Sequence, residues 1–257
     1  MDGERPADEL NMGRLLRRAP LRTIGLFLGA SPTHGGVFQY SDAVLEAIAG
    51  YKSAGYATTV LYLDPAWRGL VKAYGVDGIL VPRNKWVRAL DAMLWRVPVP
   101  VAIWRRTLAH VHSITRALMR QSCDLWVFPA QDIWTYLAPV KALGTIHDLM
   151  HRYESRFPEV AARGMYRHRE RHYHRTCVWA SGILVDSPTG RQQVIESYRV
   201  DDSKVFVLPY IASKHVRSFD VLEATGRALP PKFFFYPAQF WEHKNHGTLV
   251  EAIAKIL

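Results

Sequence analysis

The sequence predicts an α/β fold built on a doubly wound, mostly parallel sheet. Short apolar runs bounded by turn residues alternate with segments in which apolar residues recur every three or four positions. Continuous apolar runs are typical of strands covered on both faces, and the longer spacing is typical of helices that pack one face on such a sheet. The chain has 257 residues, 49% of them hydrophobic, which is enough for a sizeable core.

Eight strands are predicted. The first seven are 23–29, 57–63, 78–81, 124–130, 141–148, 182–187 and 204–209. The eighth, "KFFFYP" at 232–237, follows a stretch that breaks the alternation and ends in a proline pair. We therefore expect a flexible leader at 1–22, a Rossmann-like domain at 23–209, a linker at 210–231, and at 232–257 the first βα unit of a second, incomplete domain.

Helices are predicted between the strands from their apolar spacing and caps. One begins near Val37 and is stopped by Gly55. Another begins at Pro188, because Ser187 before it is a good N-cap. A third, rich in arginine, is expected to bury a stripe made of Tyr166, Tyr173, Cys177 and Ala180.

Charge and composition narrow the classes of partner. The formal charge of +10 suits nucleic acid, anionic lipid or phosphorylated small molecules. The arginines concentrate in 151–175, either as a solvated helix face or as an anion-binding surface, and no nucleic-acid motif accompanies them. Phosphates and lipid headgroups are therefore favoured over DNA or RNA. The sequence has only two cysteines, lacks an apolar run of about 18 residues and lacks a secretory signal. These features predict a cytoplasmic protein.

A glycine-rich loop follows the first predicted strand. In "GASPTHGGVFQYSDAV" (29–44), Gly35 and Gly36 stand between that strand and a helix. Glycines let the backbone approach a ligand closely, and a helix N-terminus offers free N–H groups to an anion. A tight βα turn explains the two glycines equally well.

A histidine and an aspartate follow the predicted strand 141–148. His147 and Asp148 in "GTIHDLMH" lie where a parallel strand ends, the edge at which open α/β sheets bind ligands. Together they could move a proton or hydrogen-bond a sugar hydroxyl. The alternative is structural: His147 caps the strand end and Asp148 begins a turn.

Near the end of the chain, "EHKNH" places a lysine between a predicted strand and a helix. Lys244 is followed by Asn245 at the predicted N-cap. A lysine there can meet a diphosphate that also receives N–H groups from the helix. An ordinary surface lysine is the alternative.

The histidines of the arginine-rich helix do not predict a metal site. His168 and His172 lie four positions apart, as zinc ligands on a helix do. His174 points elsewhere, arginines surround the set, and no thiol or clear acid completes it. We therefore expect no metal.

Taken in order, these motifs resemble those of the family-4 glycosyltransferases, whose GT-B fold has two facing Rossmann-like domains. The resemblance is carried by "GGVFQYSDAVLEAI", "GTIHDLMHRYESRFPE", "ILVDSPTGRQQVIESYRVDDSKVFVLPYIA" and "FFFYPAQFWEHKNHGTLVEAIAKI". It covers roughly residues 23–257. The His-Asp pair, the strand that ends in Asp-Ser and the Lys-Asn pair are its specific parts.

The resemblance implies a role for each candidate residue. Gly35 and Gly36 match a loop that approaches the donor phosphate and sugar. His147, with Asp148 beside it, matches the histidine near the transferred sugar. Lys244 matches the basic residue that neutralises the donor diphosphate. The other two donor-side positions are Asn245 and Gln239, and Gln239 replaces an arginine common in the family.

The implied reaction is retaining transfer of a hexose, with mannose one candidate, from a GDP- or UDP-sugar to a hydroxyl, without metal or other cofactor. Its acceptor would be a glycan or a lipid-linked sugar in cell-surface polysaccharide or glycolipid assembly. Trp86, Trp95 and Trp104 with neighbouring arginines in 84–121 suit peripheral contact with an anionic membrane, or equally a core helical pair.

The family's second domain would extend about 150 residues further and include an E-x7-E motif. We therefore expect a truncated chain with little or no transferase activity by itself. One alternative is a non-catalytic module that binds a phosphorylated or nucleic-acid partner. Another is a different GT-B enzyme, such as a sugar-nucleotide epimerase. Coding DNA that continues in frame into an E-x7-E segment would favour the transferase.

Overall fold

A computed structural model describes residues 22–83, 99–212 and 232–256, together with Val87, Asp91, Leu94 and Pro230. These residues fall into two compact units. One contains the described residues up to Asp148 and those from His172 to 212; the other contains Leu149–Arg171 and those from Pro230 onward. The predicted leader at 1–22 and linker at 210–231 lie almost entirely outside the described residues, so the domain boundaries stay predictions.

The first unit is built on a parallel sheet, and all neighbouring strands within the described residues run in the same direction. The strands are β1 Thr23–Leu28, β2 Ala57–Tyr62, β3 Asp77–Leu80, β4 Leu125–Phe128, β5 Ala142–Ile146, β6 Gly182–Val185 and β7 Val205–Val207. Their order across the sheet is β3-β2-β1-β4-β5-β6-β7. The predicted α/β class and the first seven strands are confirmed.

Helices cover both faces of this sheet. Helices α1 (Gly36–Gly50) and α2 (Trp67–Ala73) pack on one face. Helices α3 (Val101–Val111), α4 (Ser113–Arg120) and α5 (Trp134–Leu137) pack on the other. Successive strand residues point to opposite faces, and a strand buried on both faces therefore needs the continuous apolar run seen in the sequence.

The remaining helices complete the described residues. They are α6 Met150–Tyr153, α7 Pro158–Ala161, α8 Met165–Trp179, α9 Pro188–Tyr198 and α10 His246–Ala254. Helix α9 begins as predicted: Ser187 Oγ accepts a hydrogen bond of 3.0 Å from the Gly190 N–H. None of the described helices has both the length and the apolar character needed to cross a bilayer.

Two details of the predicted helices differ from the structure. Helix α1 ends at Gly50, and a 3-10 turn then leads to Gly55, whose φ of 86° is the left-handed conformation that favours glycine. On α8, Tyr166 is 39% exposed. The other three predicted stripe residues are buried, as expected. Tyr166 lies near the start of α8. The three-to-four spacing indicates which face of a helix is buried, but it does not indicate how far along the helix the burial extends.

The predicted strand at 232–237 is wrong. Residues 233–239 have no regular secondary structure, and Phe233, Phe234 and Phe235 are 56%, 64% and 77% exposed. Among the described residues no strand pairs with this segment. An unpaired strand leaves its N–H and C=O groups without partners, so strand propensity alone does not make it form.

This exposure predicts rapid proteolysis. Chymotrypsin should cut at Phe233–Phe235 well before it cuts at Phe128, which is fully buried in β4, because cleavage of a buried site requires local unfolding. Mass spectrometry of a limited digest would report the order of cuts. If Phe233–Phe235 were protected as long as the strands of the sheet, the exposure would be contradicted.

Candidate functional site

The carboxyl ends of four neighbouring strands, β4 to β7, carry a group of polar side chains. Parallel strands end at the same edge of a sheet, and β4, β5, β6 and β7 are consecutive neighbours. Asp132, His147, Asp186 and Tyr210 follow these four strands in turn. The fold of the first unit therefore brings two carboxylates, an imidazole and a phenol to one edge.

His147 is the centre of the group. Its side chain is only 9% exposed, and its Nδ1 lies 3.1 Å and 3.3 Å from the two carboxylate oxygens of Asp186. The hydroxyl of Tyr210 lies 3.3 Å from the same nitrogen. Asp148, the other predicted catalytic residue, is half-buried beside His147. Its charge contributes, after burial and the charge of Asp186, to raising the pKa of Tyr210.

These contacts define which nitrogen of His147 is available. A carboxylate only accepts hydrogen bonds, so Nδ1 carries a proton and donates it to Asp186. In the neutral imidazole the other nitrogen, Nε2, is then an acceptor. It is out of solvent and has no hydrogen-bond partner among the described residues. The geometry thus presents one buried lone pair for a ligand hydroxyl.

Two tyrosines enclose the imidazole. The ring of Tyr40, from α1, meets His147 edge-on with centroids 5.0 Å apart, and Tyr40 and Tyr210 lie 4.8 Å apart. Burial, with the charge of Asp186 next in importance, raises the pKa of Tyr40 well above its usual value. The same two causes, in the same order, raise the pKa of Tyr210. Both phenols therefore stay neutral and keep a proton to donate.

Asp132 is a second carboxylate at this edge; the residue is half-buried, and its Oδ2 is out of solvent. Burial raises its pKa to about 7, and Arg83 opposes the rise. A β-carbon added at Gly29, after β1, would lie 2.1 Å from Asp132 Oδ1, so only glycine leaves room for this carboxylate. Sequence analysis did not name Asp132, Asp186, Tyr40 or Tyr210 as site residues, although the Asp-Ser pair at 186–187 is part of the family resemblance. For Asp132 and Asp186 the available signal was their place just after a strand.

The glycine loop lies between β1 and α1. Gly35 has φ 54° and ψ −118°, a conformation that strongly favours glycine, and Gly36 is the first residue of α1. A β-carbon at either position would meet nothing within 4 Å. No side chain caps the helix. The two glycines therefore leave open space at the start of a 15-residue helix, whose first N–H groups have no acceptor within the helix.

In the second unit, Lys244 ends a 3-10 turn, Glu242–Lys244, and its side chain is exposed. Asn245 caps α10 as predicted, since its side chain accepts from the Thr248 N–H at 3.4 Å. Gln239 is exposed as well. The structure thus places this loop lysine beside a helix N-terminus, as the sequence predicts, while its proposed contact with a diphosphate stays a prediction.

A half-buried hydrogen-bonded pair, Glu159 and His243, fixes this turn. Glu159 of α7 accepts hydrogen bonds from both the main-chain N–H (3.1 Å) and the imidazole Nδ1 of His243. Burial works against the charged carboxylate, but these hydrogen bonds hold the pKa of Glu159 below its usual value. The residue next to Lys244 is therefore anchored by a contact that sequence analysis did not suggest.

An apolar groove of about 680 Å³ lies in the first unit, between α1 and the β4–β7 half of the sheet. Tyr40 and Leu208 line one end, and the aliphatic side chains of Val127, Leu143 and Leu184 line its floor. Such a surface suits an apolar group rather than a phosphate. We do not assign the groove to the nucleotide.

The predicted membrane-facing aromatics are only partly described. Trp86 and Trp95 lie outside the described residues. Trp104 is half-buried and packs against the core. Arg105 donates to the Tyr136 carbonyl at 3.0 Å and lies over the Trp179 ring. These contacts favour the structural alternative for Trp104 and Arg105, and contact with a membrane stays a proposal.

Comparison with known proteins leaves the family open. No protein-family model matches this sequence, and no curated protein matches it. Three solved structures illustrate the similarities that are found. They are a glycosyltransferase from Rickettsia africae ESF-5 (14% identity, 74% of this chain, 43% of that one, TM-score 0.42), UDP-GlcNAc 2-epimerase from Methanocaldococcus jannaschii (10%, 72%, 45%, 0.42) and Arabidopsis thaliana UGT89C1 complexed with quercetin (12%, 75%, 52%, 0.42).

These similarities carry no argument about activity, because the identities and TM-scores are too low. The chain spans about half the length of these solved structures. The α/β class is established by the sheet described above. The resemblance to family-4 glycosyltransferases stays a prediction from the motifs.

Proposed function

We propose that this chain carries the acceptor-side domain of a retaining glycosyltransferase, which moves a hexosyl group from a nucleoside diphosphate to a hydroxyl. The observation that carries the proposal is His147. Its imidazole is buried at the carboxyl edge of the sheet, Asp186 orients it, and Nε2 is left as an acceptor. The order of the motifs supplies the substrate class.

In this reaction the bond between the anomeric carbon and the diphosphate oxygen breaks, and the acceptor oxygen bonds to that carbon on the same face. The acceptor's proton leaves with the diphosphate. The transition state is oxocarbenium-like. His147 Nε2 accepts from a hydroxyl of the transferred sugar and holds the ring, while Asp148 provides negative charge beside the developing cation.

The departing diphosphate gains negative charge, and stabilising that charge is what speeds the reaction. We propose that the glycine loop at Gly35 and Gly36, with the first N–H groups of α1, meets a donor phosphate. Separately, we propose that Lys244 and Asn245 form a diphosphate-binding turn and that Gln239 hydrogen-bonds a phosphate oxygen. With these groups the reaction proceeds without a metal.

The finer assignments rest on the motif resemblance alone. We propose GDP- or UDP-sugars as donors, mannose as one candidate sugar, and a glycan or lipid-linked acceptor in cell-surface polysaccharide or glycolipid assembly. The enzyme would act in the cytoplasm, with peripheral contact to an anionic membrane. A liposome-flotation assay with anionic and neutral vesicles tests that contact.

Binding of the donor tests the proposed function. Isothermal titration of the 257-residue chain with GDP- and UDP-sugars should give a saturable signal for at least one of them. Replacing Lys244 by alanine should weaken that binding about ten-fold, because one charge-assisted contact is lost. Lys72→Ala, an exposed lysine on α2, is the matched control.

Two results would overturn the proposal. One is the absence of any saturable binding of nucleotide sugars under conditions in which the chain is folded. The other is equal affinity for a nucleoside diphosphate sugar and for the corresponding nucleoside, since the diphosphate would then contribute nothing.

A further inference from the structure

Two consecutive residues after β4 hold polar atoms that the proposed reaction does not use. Gln131 Nε2 and Asp132 Oδ2 are out of solvent and have no hydrogen-bond partner among the described residues. Buried polar groups in folded proteins nearly always have a partner. His147 Nε2, after the neighbouring strand β5, is in the same situation. Similar atoms occur elsewhere, two of them on α4, and this edge of the sheet holds three.

Both side chains are held in a fixed orientation. The hydroxyl of Tyr173, which is only 1% exposed, donates to Gln131 Oε1 at 3.1 Å. The amide oxygen is therefore satisfied, and the nitrogen is the end left to donate. The carboxylate of Asp132 occupies the space that a side chain at Gly29 would fill. An oriented donor and an oriented acceptor thus occupy consecutive positions after β4.

This pair selects the chemistry of its ligand. A hydroxyl can donate and accept at once, so two neighbouring hydroxyls satisfy both atoms. A phosphate would be repelled by the Asp132 carboxylate, and an apolar group would leave both atoms unpaired. A metal ion would have the Asp132 carboxylate as a ligand, but it would also meet the amide NH₂ of Gln131, which cannot coordinate it. The pKa of Asp132, raised to about 7 by burial, also lets this group share a proton with a hydroxyl near neutral pH.

We propose that Gln131 and Asp132 form a carbohydrate subsite, in which Gln131 Nε2 donates to one hydroxyl of a sugar ring and Asp132 accepts from its neighbour. The inference rests on the proposed function and deepens it by naming two residues that recognise a sugar. The sugar comes either from the acceptor or from the donor. Both present neighbouring hydroxyls, and the test below separates them.

The test follows the side-chain amide of Gln131 by ¹H–¹⁵N NMR in the full 257-residue chain. The probes are methyl α-D-mannopyranoside, methyl β-D-glucopyranoside, GDP, UDP, GDP-mannose and UDP-glucose. At least one sugar-bearing probe should shift the Gln131 resonances. Gln131→Met and Asp132→Leu should each weaken its binding about ten-fold or more. Asp132→Asn, which keeps an acceptor oxygen and the shape, should restore binding to within about three-fold of wild type.

Matched controls are Gln192→Met, on the exposed side of α9, and Asp77→Leu, at the amino edge of the sheet. If Gln131→Met and Asp132→Leu bind a methyl glycoside more weakly than wild type does, the subsite belongs to the acceptor. If they bind a nucleotide sugar more weakly but the free nucleotide equally well, the subsite belongs to the donor sugar. Either result supports the subsite.

The subsite is overturned if Gln131→Met and Asp132→Leu bind every probe as tightly as wild type, or if no sugar-bearing probe shifts Gln131. Loss of the subsite is distinguishable from loss of the proposed function. If GDP or UDP binds normally and neither variant changes the binding of any probe, only the subsite is refuted. If methyl glycosides shift the Gln131 amide resonances but no nucleotide binds, only the proposed transferase function is refuted.

Discussion

Replacing His147 by alanine should lower the rate of sugar transfer about 100- to 1,000-fold, the usual cost of removing one preorganised catalytic hydrogen-bonding group. The imidazole is 9% exposed and is oriented by Asp186 at 3.1 Å, and the methyl group of alanine cannot make its hydrogen bond. The rate is to be measured as nucleoside diphosphate release, with a panel of nucleotide sugars and acceptors, in protein that also contains the second domain implied by the family resemblance.

The matched control is His110→Ala, an exposed histidine on α3 far in sequence from the site. It should leave the rate unchanged within about two-fold, since surface substitutions of this kind have small effects. Circular dichroism would show that both variants are folded. A His147→Ala rate within about three-fold of wild type would remove His147 from the reaction.

Asp132→Asn should raise the free energy of unfolding by about 2–4 kcal/mol at pH 8 and by little at pH 4. The pKa of Asp132 in the fold is about 7, above the ordinary carboxylate value. The folded chain therefore binds this proton more tightly than the unfolded chain. As the pH rises from about 4 to about 7, the unfolded state ionises first and the folded state loses stability. Asparagine stays neutral and avoids the loss.

Urea unfolding followed by tryptophan fluorescence at both pH values measures this difference. Asp77→Asn, at an exposed position on the opposite edge of the sheet, is the control for a general loss of charge. Equal effects of Asp132→Asn at pH 4 and pH 8 would show that the carboxylate is not the buried group described here. A buried charge that lowers stability is the kind of feature that function can retain.

The strands of the sheet could be predicted because burial on both faces imposes a local pattern. Each observed strand lies within one or two residues of a continuous apolar run. The segment 232–237, where a strand was wrongly predicted, has the same apolar pattern. A strand forms there only if it can pair with a neighbouring strand, and a local sequence pattern does not show whether such a neighbour exists. The predicted burial of Tyr166 is wrong for a related reason, because a helix can continue beyond the surface on which it packs.

The site could be predicted only in part. His147 was found because a histidine directly after a strand is conspicuous. Its partner Asp186 lies 39 positions further along the chain. The two meet because β5 and β6 are neighbours, which is a matter of strand order. Tyr210 comes from beyond β7 and Tyr40 from α1, so their contacts with the imidazole are set by packing.

The central claim is that Asp186 holds His147 with Nε2 free for a sugar hydroxyl. Imidazole ¹⁵N NMR of the labelled chain, titrated with the nucleotide sugar that binds best, tests it directly. We predict the Nδ1-protonated tautomer in the free chain and a shift of the Nε2 resonance that saturates with ligand. A proton on Nε2 in the free chain, or an Nε2 resonance unmoved at saturation, would contradict the account.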